Sequence, residues 1–189
     1  SNSSNLSTYL EEVQSTMPSI TSGLNNISQN AENTGTLINT SKESLNSTFD
    51  NIRLNLSESQ TSLDKVQSNL DDLSSMANDA SSAKINALIS KSINEIDKVD
   101  NSVTAVINFL DAINKKIANE KIANMITSLK NVQNSLAEEK TKLNDLQSKV
   151  NSGQNVDKGL LSSISDLTKK IEGQVDNSLN RFDNDTRPA

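Results

Sequence analysis

The side chains of this 189-residue chain that could do chemistry are carboxylates, lysines, three arginines, hydroxyls and a single tyrosine, Tyr9. Carboxylates cluster at Glu11-Glu12, Asp71-Asp72 and Glu138-Glu139. Paired carboxylates cleave glycosides when they face each other across a cleft lined by sugar-stacking groups. Neighbours on a helix point about 100° apart, and aromatic residues make up only 2% of the chain. All three pairs therefore read as solvated helix faces. No D-x-[DN]-x-[DN]-G run exists to wrap calcium. The nearest approach to a phosphate-cradling loop, Gly153 to Gly159, runs on into Leu160 where a Lys would be needed. The chain has no His and no Cys. That removes Ser-His-Asp and Cys-His machinery, imidazole and thiolate metal ligands, disulfides and iron–sulfur clusters. The sequence assigns no catalytic, cofactor-binding or metal-binding residue, and the expectation is a protein that is not an enzyme and carries no cofactor.

What remains is the framework. Hydrophobic residues are 33% of the chain, with three Phe and no Trp, while Ser and Asn contribute 30 and 27 residues. Few large aromatics means no thick core. Five Gly and two Pro are too few for a turn-rich β chain. Apolar residues instead recur at alternating steps of four and three, the mark of a narrow seam along a polar helix. The first ladder is Leu6, Leu10, Val13, Met17, Ile20, Leu24 and Ile27, with Pro18 and Gly23 inside it. Pro18 predicts a kink or a restart. Asn33-Thr34-Gly35-Thr36 reads as a break, because Gly offers left-handed cap geometry; the alternative is a continuous helix.

A second ladder runs Leu45, Phe49, Ile52, Leu56, Leu63, Val66, Leu70, Leu73, Ala77. The step from Leu45 to Phe49 adds four where three is due, a stutter that locally unwinds a supercoil. Asn78–Ser82 reads as a turn. A third ladder spans Ile85 to Ile117, and Asn119 is placed to cap the fourth, Ile122 to Val150. Asn151–Asn155 is the clearest turn, Asp157 is placed to cap the last helix, and 183–188 reads as a stop or hinge. The expected helices are 5–33, 36–78, 83–117, 120–151 and 157–183. Those of roughly 25–40 residues make rods of roughly 40–60 Å. Their seams need antiparallel neighbours or another chain. The doublets Leu88/Ile89, Val106/Ile107 and Met125/Ile126 read as the wider stripe of a helix packed on two neighbours, and as lining of a pocket in the alternative. Phe49 and Phe109 are candidates to meet in the core.

Net charge is −6, and Arg53, Arg181 and Arg187 are scattered. Without a basic stripe or interleaved aromatics, nucleic acid is not an expected partner. The most apolar stretch, Val103–Leu110, is too short to cross a bilayer and is interrupted by Asn108. Sequons such as Asn26-Ile27-Ser28 arise readily by chance in so Asn- and Ser-rich a chain. The absence of an initiator Met suggests a piece of a longer protein.

Tyr9-Leu10, Met17-Pro18-Ser19-Ile20 and Gly23-Leu24, followed by Ser/Asn/Leu-rich helices, resemble the extracytoplasmic region of YhgE/Pip-type phage infection proteins. Arg181-Phe182-Asp183-Asn184-Asp185-Thr186-Arg187-Pro188-Ala189 is similar to a segment of that same region. The resemblance implies an external helical domain of a polytopic Gram-positive membrane protein, some members of whose family serve as attachment or DNA-entry factors for bacteriophage. It carries over no catalytic residue.

Together these readings predict an all-α, elongated antiparallel helical bundle or coiled-coil array of long amphipathic helices, as one extended domain over residues 1–189. The expected function is a non-enzymatic spacer and protein-interaction surface on the outer face of a bacterial cell membrane. Its partner would be a second copy or a phage or cell-surface protein, with membrane contact only through segments outside this chain. The alternative is the extracytoplasmic four-helix sensory domain of a chemoreceptor or histidine kinase. A soluble coiled-coil partner protein is a third reading.

Overall fold

The computed structural model describes residues 1–76 and 78–186. Among these the protein is all-α, with helices α1 (Asn2–Ser75), α2 (Ser82–Lys116), α3 (Glu120–Asn151) and α4 (Lys158–Arg181), and a closing π-helical turn at Phe182–Thr186. Ala77 and residues 187–189, which fall in the second ladder and the expected stop, lie outside the described residues.

The helix borders follow local chemistry. Ser81 caps α2 by accepting from the Lys84 N–H, Asn119 caps α3 by accepting from the Lys121 and Ile122 N–H groups, and Asp157 caps α4 through Leu160. Each satisfies amides that have no partner within their own helix. Gly153 ends the α3 side of the last turn at φ 84°, a left-handed conformation that L side chains resist. Lys158 Nζ donates to the carbonyls of Leu73 and Ser74, at 3.4 and 3.0 Å, and so closes the C-terminus of α1.

The first expected border does not exist. Where two helices, 5–33 and 36–78, are expected, α1 is one helix containing Pro18. Gly35 stays out of the left-handed region. The polar side chains around it bond within the helix: Gln29 Nε2 to Asn33 Oδ1 at 3.2 Å and Thr36 Oγ1 to the Glu32 carbonyl at 3.2 Å. At Pro18 no restart occurs, since a proline withholds one backbone donor and the surrounding turns carry the helix past it. Thr16 Oγ1, two residues earlier, bonds back to the Glu12 carbonyl at 2.7 Å.

Contacts divide the chain into two compact units, Ser1–Ser47 and Thr48–Ala189. The division falls inside the Leu45–Phe49 stutter. The first unit is a single helical stretch of roughly 70 Å at 1.5 Å per residue. The second is an antiparallel four-helix bundle of the last part of α1 with α2, α3 and α4. Its core is the predicted ladders: Ile52, Leu56, Leu63, Val66, Leu70, Ile89, Val99, Val103, Leu129, Leu143, Ile164 and Ile171 are sealed from solvent.

Polar side chains on the flanks fix the register. Between α2 and α3, Ser90 meets Gln147 at 3.2 Å, Asp97 meets Lys140 at 2.8 Å and Thr104 meets Gln133 at 2.8 Å. Each heptad forward in α2 is matched by a heptad back in α3, which is what antiparallel coiled-coil packing requires. Between α1 and α4, Gln60 donates to Asp176 at 2.6 Å, and Arg53 pairs with Asp183 of the closing π-helical turn. Phe49 packs edge-on against Phe182 with ring centroids 5.6 Å apart. Phe49 therefore meets Phe182 and not Phe109, which is half-buried beside the Val106/Leu110 stripe.

Candidate functional site

Two places stand out against this background. The first is a buried carboxyl. Glu139 lies in the α3 seam, three residues after Leu136 and four before Leu143, and is completely sealed. The expectation that Glu138-Glu139 is a solvated pair is therefore corrected for Glu139. Only Glu138 faces outward, near Lys142 at 4.0 Å. The ladder Leu136–Leu143 skips one seam position, and Glu139 occupies it. The same gap rule finds Ser59 between Leu56 and Leu63, whereas Ser92 sits beside Ile93, which already fills the step between Ile89 and Ile96. Both are buried, and their hydroxyls are satisfied by the carbonyls of Asn55 and Leu88 at 2.9 Å.

Glu139 Oε1 is hydrogen-bonded to Thr168 Oγ1 on α4, and Oε2 has no hydrogen-bond partner. Burial pushes the Glu139 carboxyl up to about 7, against the opposing effect of Thr168, and Glu172 adds repulsion. Glu172, half-buried on α4, is itself raised by burial and then by Asp64 and Asp176. Thr168 Oγ1 is the donor to Glu139 and also lies 3.1 Å from the Ile164 carbonyl, so its one proton is shared between two acceptors. The neighbouring lysines do not neutralise the carboxylate: Lys140 goes to Asp97, and Lys142 donates to Ser163 Oγ at 2.7 Å. A carboxyl sealed in the seam, its hold on the proton raised by burial, offers no face to a substrate; what it can do is couple helix packing to pH.

The second place is the first unit. Leu6, Leu10, Val13, Met17, Ile20, Leu24 and Ile27 are 48–66% exposed. The equivalent ladder positions in the bundle are mostly buried, with Ile93 half-buried and Ile117, past the end of α2, exposed. Tyr9, Leu37 and Ile38 are exposed as well. Scattered surface apolar residues need no account, but a contiguous stripe at heptad spacing does.

Other features resolve as structure. Asp71 and Asp72 are exposed, as are Glu11 and Glu12, and Asp71 accepts from Gln67 of its own helix at 3.0 Å. Of the doublets, Ile89 and Val106 are buried while Leu88 and Ile107 are half-buried, and Met125 and Ile126 are both buried. These are packing positions. A shallow cleft at the loop end of the bundle is lined by Met76, Ser82, Ile85, Val150, Gln154 and Lys158, among others. A second, between α1 and α2, carries Lys65, Lys91 and Lys98, with Lys98 held by Glu95 at 3.1 Å. Among the described residues no helix is long and apolar enough to cross a membrane, and no group of three or more acidic residues could hold a metal ion. The chain matches no protein-family model and no curated protein sequence.

Proposed function

We propose that this chain is a non-enzymatic spacer and protein-interaction surface, displayed on the outer face of a bacterial membrane protein, with bacteriophage attachment or entry as one use of that surface. The observation that carries the interaction reading is the exposed heptad stripe from Leu6 to Ile27. An apolar stripe of that length is costly to leave in water and suits a partner helix. The external location rests on the resemblance to YhgE/Pip-type proteins. Its test exploits the lack of native cysteine. In the parent cell, a single Asn25→Cys substitution on the exposed helix is expected to react with a membrane-impermeant maleimide in intact cells. Labelling only after lysis overturns the external location. For the phage reading, cells shaved of the domain by protease are expected to lose phage adsorption; unchanged infection refutes it.

The antiparallel four-helix packing of residues 48–186 favours a second reading, a sensory domain that answers a small ligand by slight helix displacement. The polar cleft at its loop end is the place for such a ligand. A metabolite panel that shifts the bundle's melting, with loss of the shift in Lys158→Ala, supports this reading; silence across the panel refutes it.

A further inference from the structure

We propose that the stripe from Leu6 to Ile27 closes on further copies of this same chain, as a parallel coiled coil of more than two strands. This deepens the interaction reading and rests on it. With steps of four and three, Leu10, Met17 and Leu24 occupy one seam layer type, the a positions of the heptad. Val13, Ile20 and Ile27 occupy the other, the d positions. Thus β-branched side chains are gathered at d and unbranched or γ-branched ones at a, with Leu6 the exception at d. In parallel coils, Leu at a with Ile at d favours three or four strands, while the reverse arrangement favours two. The segregation also speaks for parallel strands, because an antiparallel pairing mixes a with d layers.

The flanks permit identical neighbours. Positions e are Ser7, Gln14, Thr21 and Ser28, and positions g are Tyr9, Thr16, Gly23 and Asn30; none carries a charge. Copies laid side by side meet no like-charge repulsion there. Glu11, Glu12 and Pro18 all fall at b or c, on the outer face, so neither charge nor the proline ring intrudes on the seam. The area is sufficient. Seven half- to two-thirds-exposed side chains offer on the order of 600 Å². With the flanking positions, that approaches the about 800 Å² per partner of a standard interface.

The experiment is sedimentation equilibrium of the full chain, with a protomer mass of 20.5 kDa. The expected result is three or four times that mass. Leu10→Glu with Leu24→Glu returns it to one protomer, while the calorimetric transition of the bundle stays in place. Exchanging the layers (Leu10→Ile, Met17→Ile, Leu24→Ile with Val13→Leu, Ile20→Leu, Ile27→Leu) brings it to two protomers. Ser3→Cys, at the next a position upstream, forms a disulfide between copies on oxidation only if the strands are parallel. A wild-type monomer or dimer at about 200 µM overturns the proposal, as does an oligomer indifferent to the seam substitutions. A monomer that is still labelled on intact cells sinks self-association while leaving surface display standing. An oligomer labelled only after lysis does the opposite.

Discussion

Replacing Glu139 by Gln is expected to make the bundle more stable at pH 8 and to leave it nearly unchanged at pH 4.5. An unfolded glutamate titrates near 4.5, and burial in the α3 seam holds the folded one at about 7. The folded state therefore binds the proton more tightly. Glu139's favourable contribution is complete below about pH 4.5 and is lost as pH rises through 7. Two and a half units at about 1.4 kcal/mol each set an upper scale of ~3 kcal/mol. That is a sizeable share of the 5–15 kcal/mol that holds a domain together. Gln keeps the shape and an oxygen that accepts from Thr168 Oγ1 but has nothing to ionise. Glu139→Leu sharpens the comparison, because Thr168 retains the Ile164 carbonyl as an acceptor and no hydroxyl is orphaned. The assay is differential scanning calorimetry of the bundle transition from pH 5 to 8, read as wild type minus Glu139→Gln. Taking the difference removes the smaller contribution of Glu172, which has the same sign. A difference that stays flat across this range refutes the neutral buried acid, as does a wild type that gains stability towards pH 8.

Leu143→Ala, at a fully buried seam position, is expected to cost about 2–5 kcal/mol in chemical denaturation. Leu24→Ala, exposed in the first unit, is expected to leave the bundle midpoint in place, and a shift comparable to that of Leu143→Ala contradicts the two-unit division. Asn119→Ala removes the acceptor for two amides of α3 and is expected to cost ~1 kcal/mol, read from the denaturation midpoint. Gly153→Ala forces a methyl into a left-handed turn and is expected to destabilise by ~1 kcal/mol, although no atom crowds the site. Asp157 is held below the usual carboxylate range, first by the Leu160 N–H and then by Lys149. Its contribution is present above the unfolded value and fades as pH falls through the lowered one, so Asp157→Asn is expected to flatten the acid limb of the stability profile.

The helical class and the bundle seams were legible because steps of three and four need only one-letter identities and a helical period. Asn119, Asp157 and Gly153 were legible for a similar reason, since capping and left-handed turns are local chemistry. Pro18 and Gly35 misled for the complementary reason. Each carries a propensity cost of a few kcal/mol at most, and a long helix absorbs it where its flanking turns are sound. Glu139 was hidden by its type. Acidic residues are almost never fully buried, so its company with Glu138 outweighed its position in the ladder. The vacant step between Leu136 and Leu143 was the signal, and the same gap marks Ser59; Ser92 had no such mark, because Ile93 fills its step. The partner of Phe49 depends on how four helices rotate about their own axes, which spacing along one chain does not encode.

The α1–α4 pairing has a consequence for synthesis. Gln60 and Asp176, which lock those helices together, are 116 residues apart in the chain. At ribosomal rates of 5–20 residues per second, the interval between them is on the order of 5–20 s. For that time the nascent chain carries the stripe from Ile52 to Leu73 without the helix that will cover it, alongside the stripe from Leu6 to Ile27. A growing polypeptide of this design therefore shows water more apolar surface than the finished bundle does.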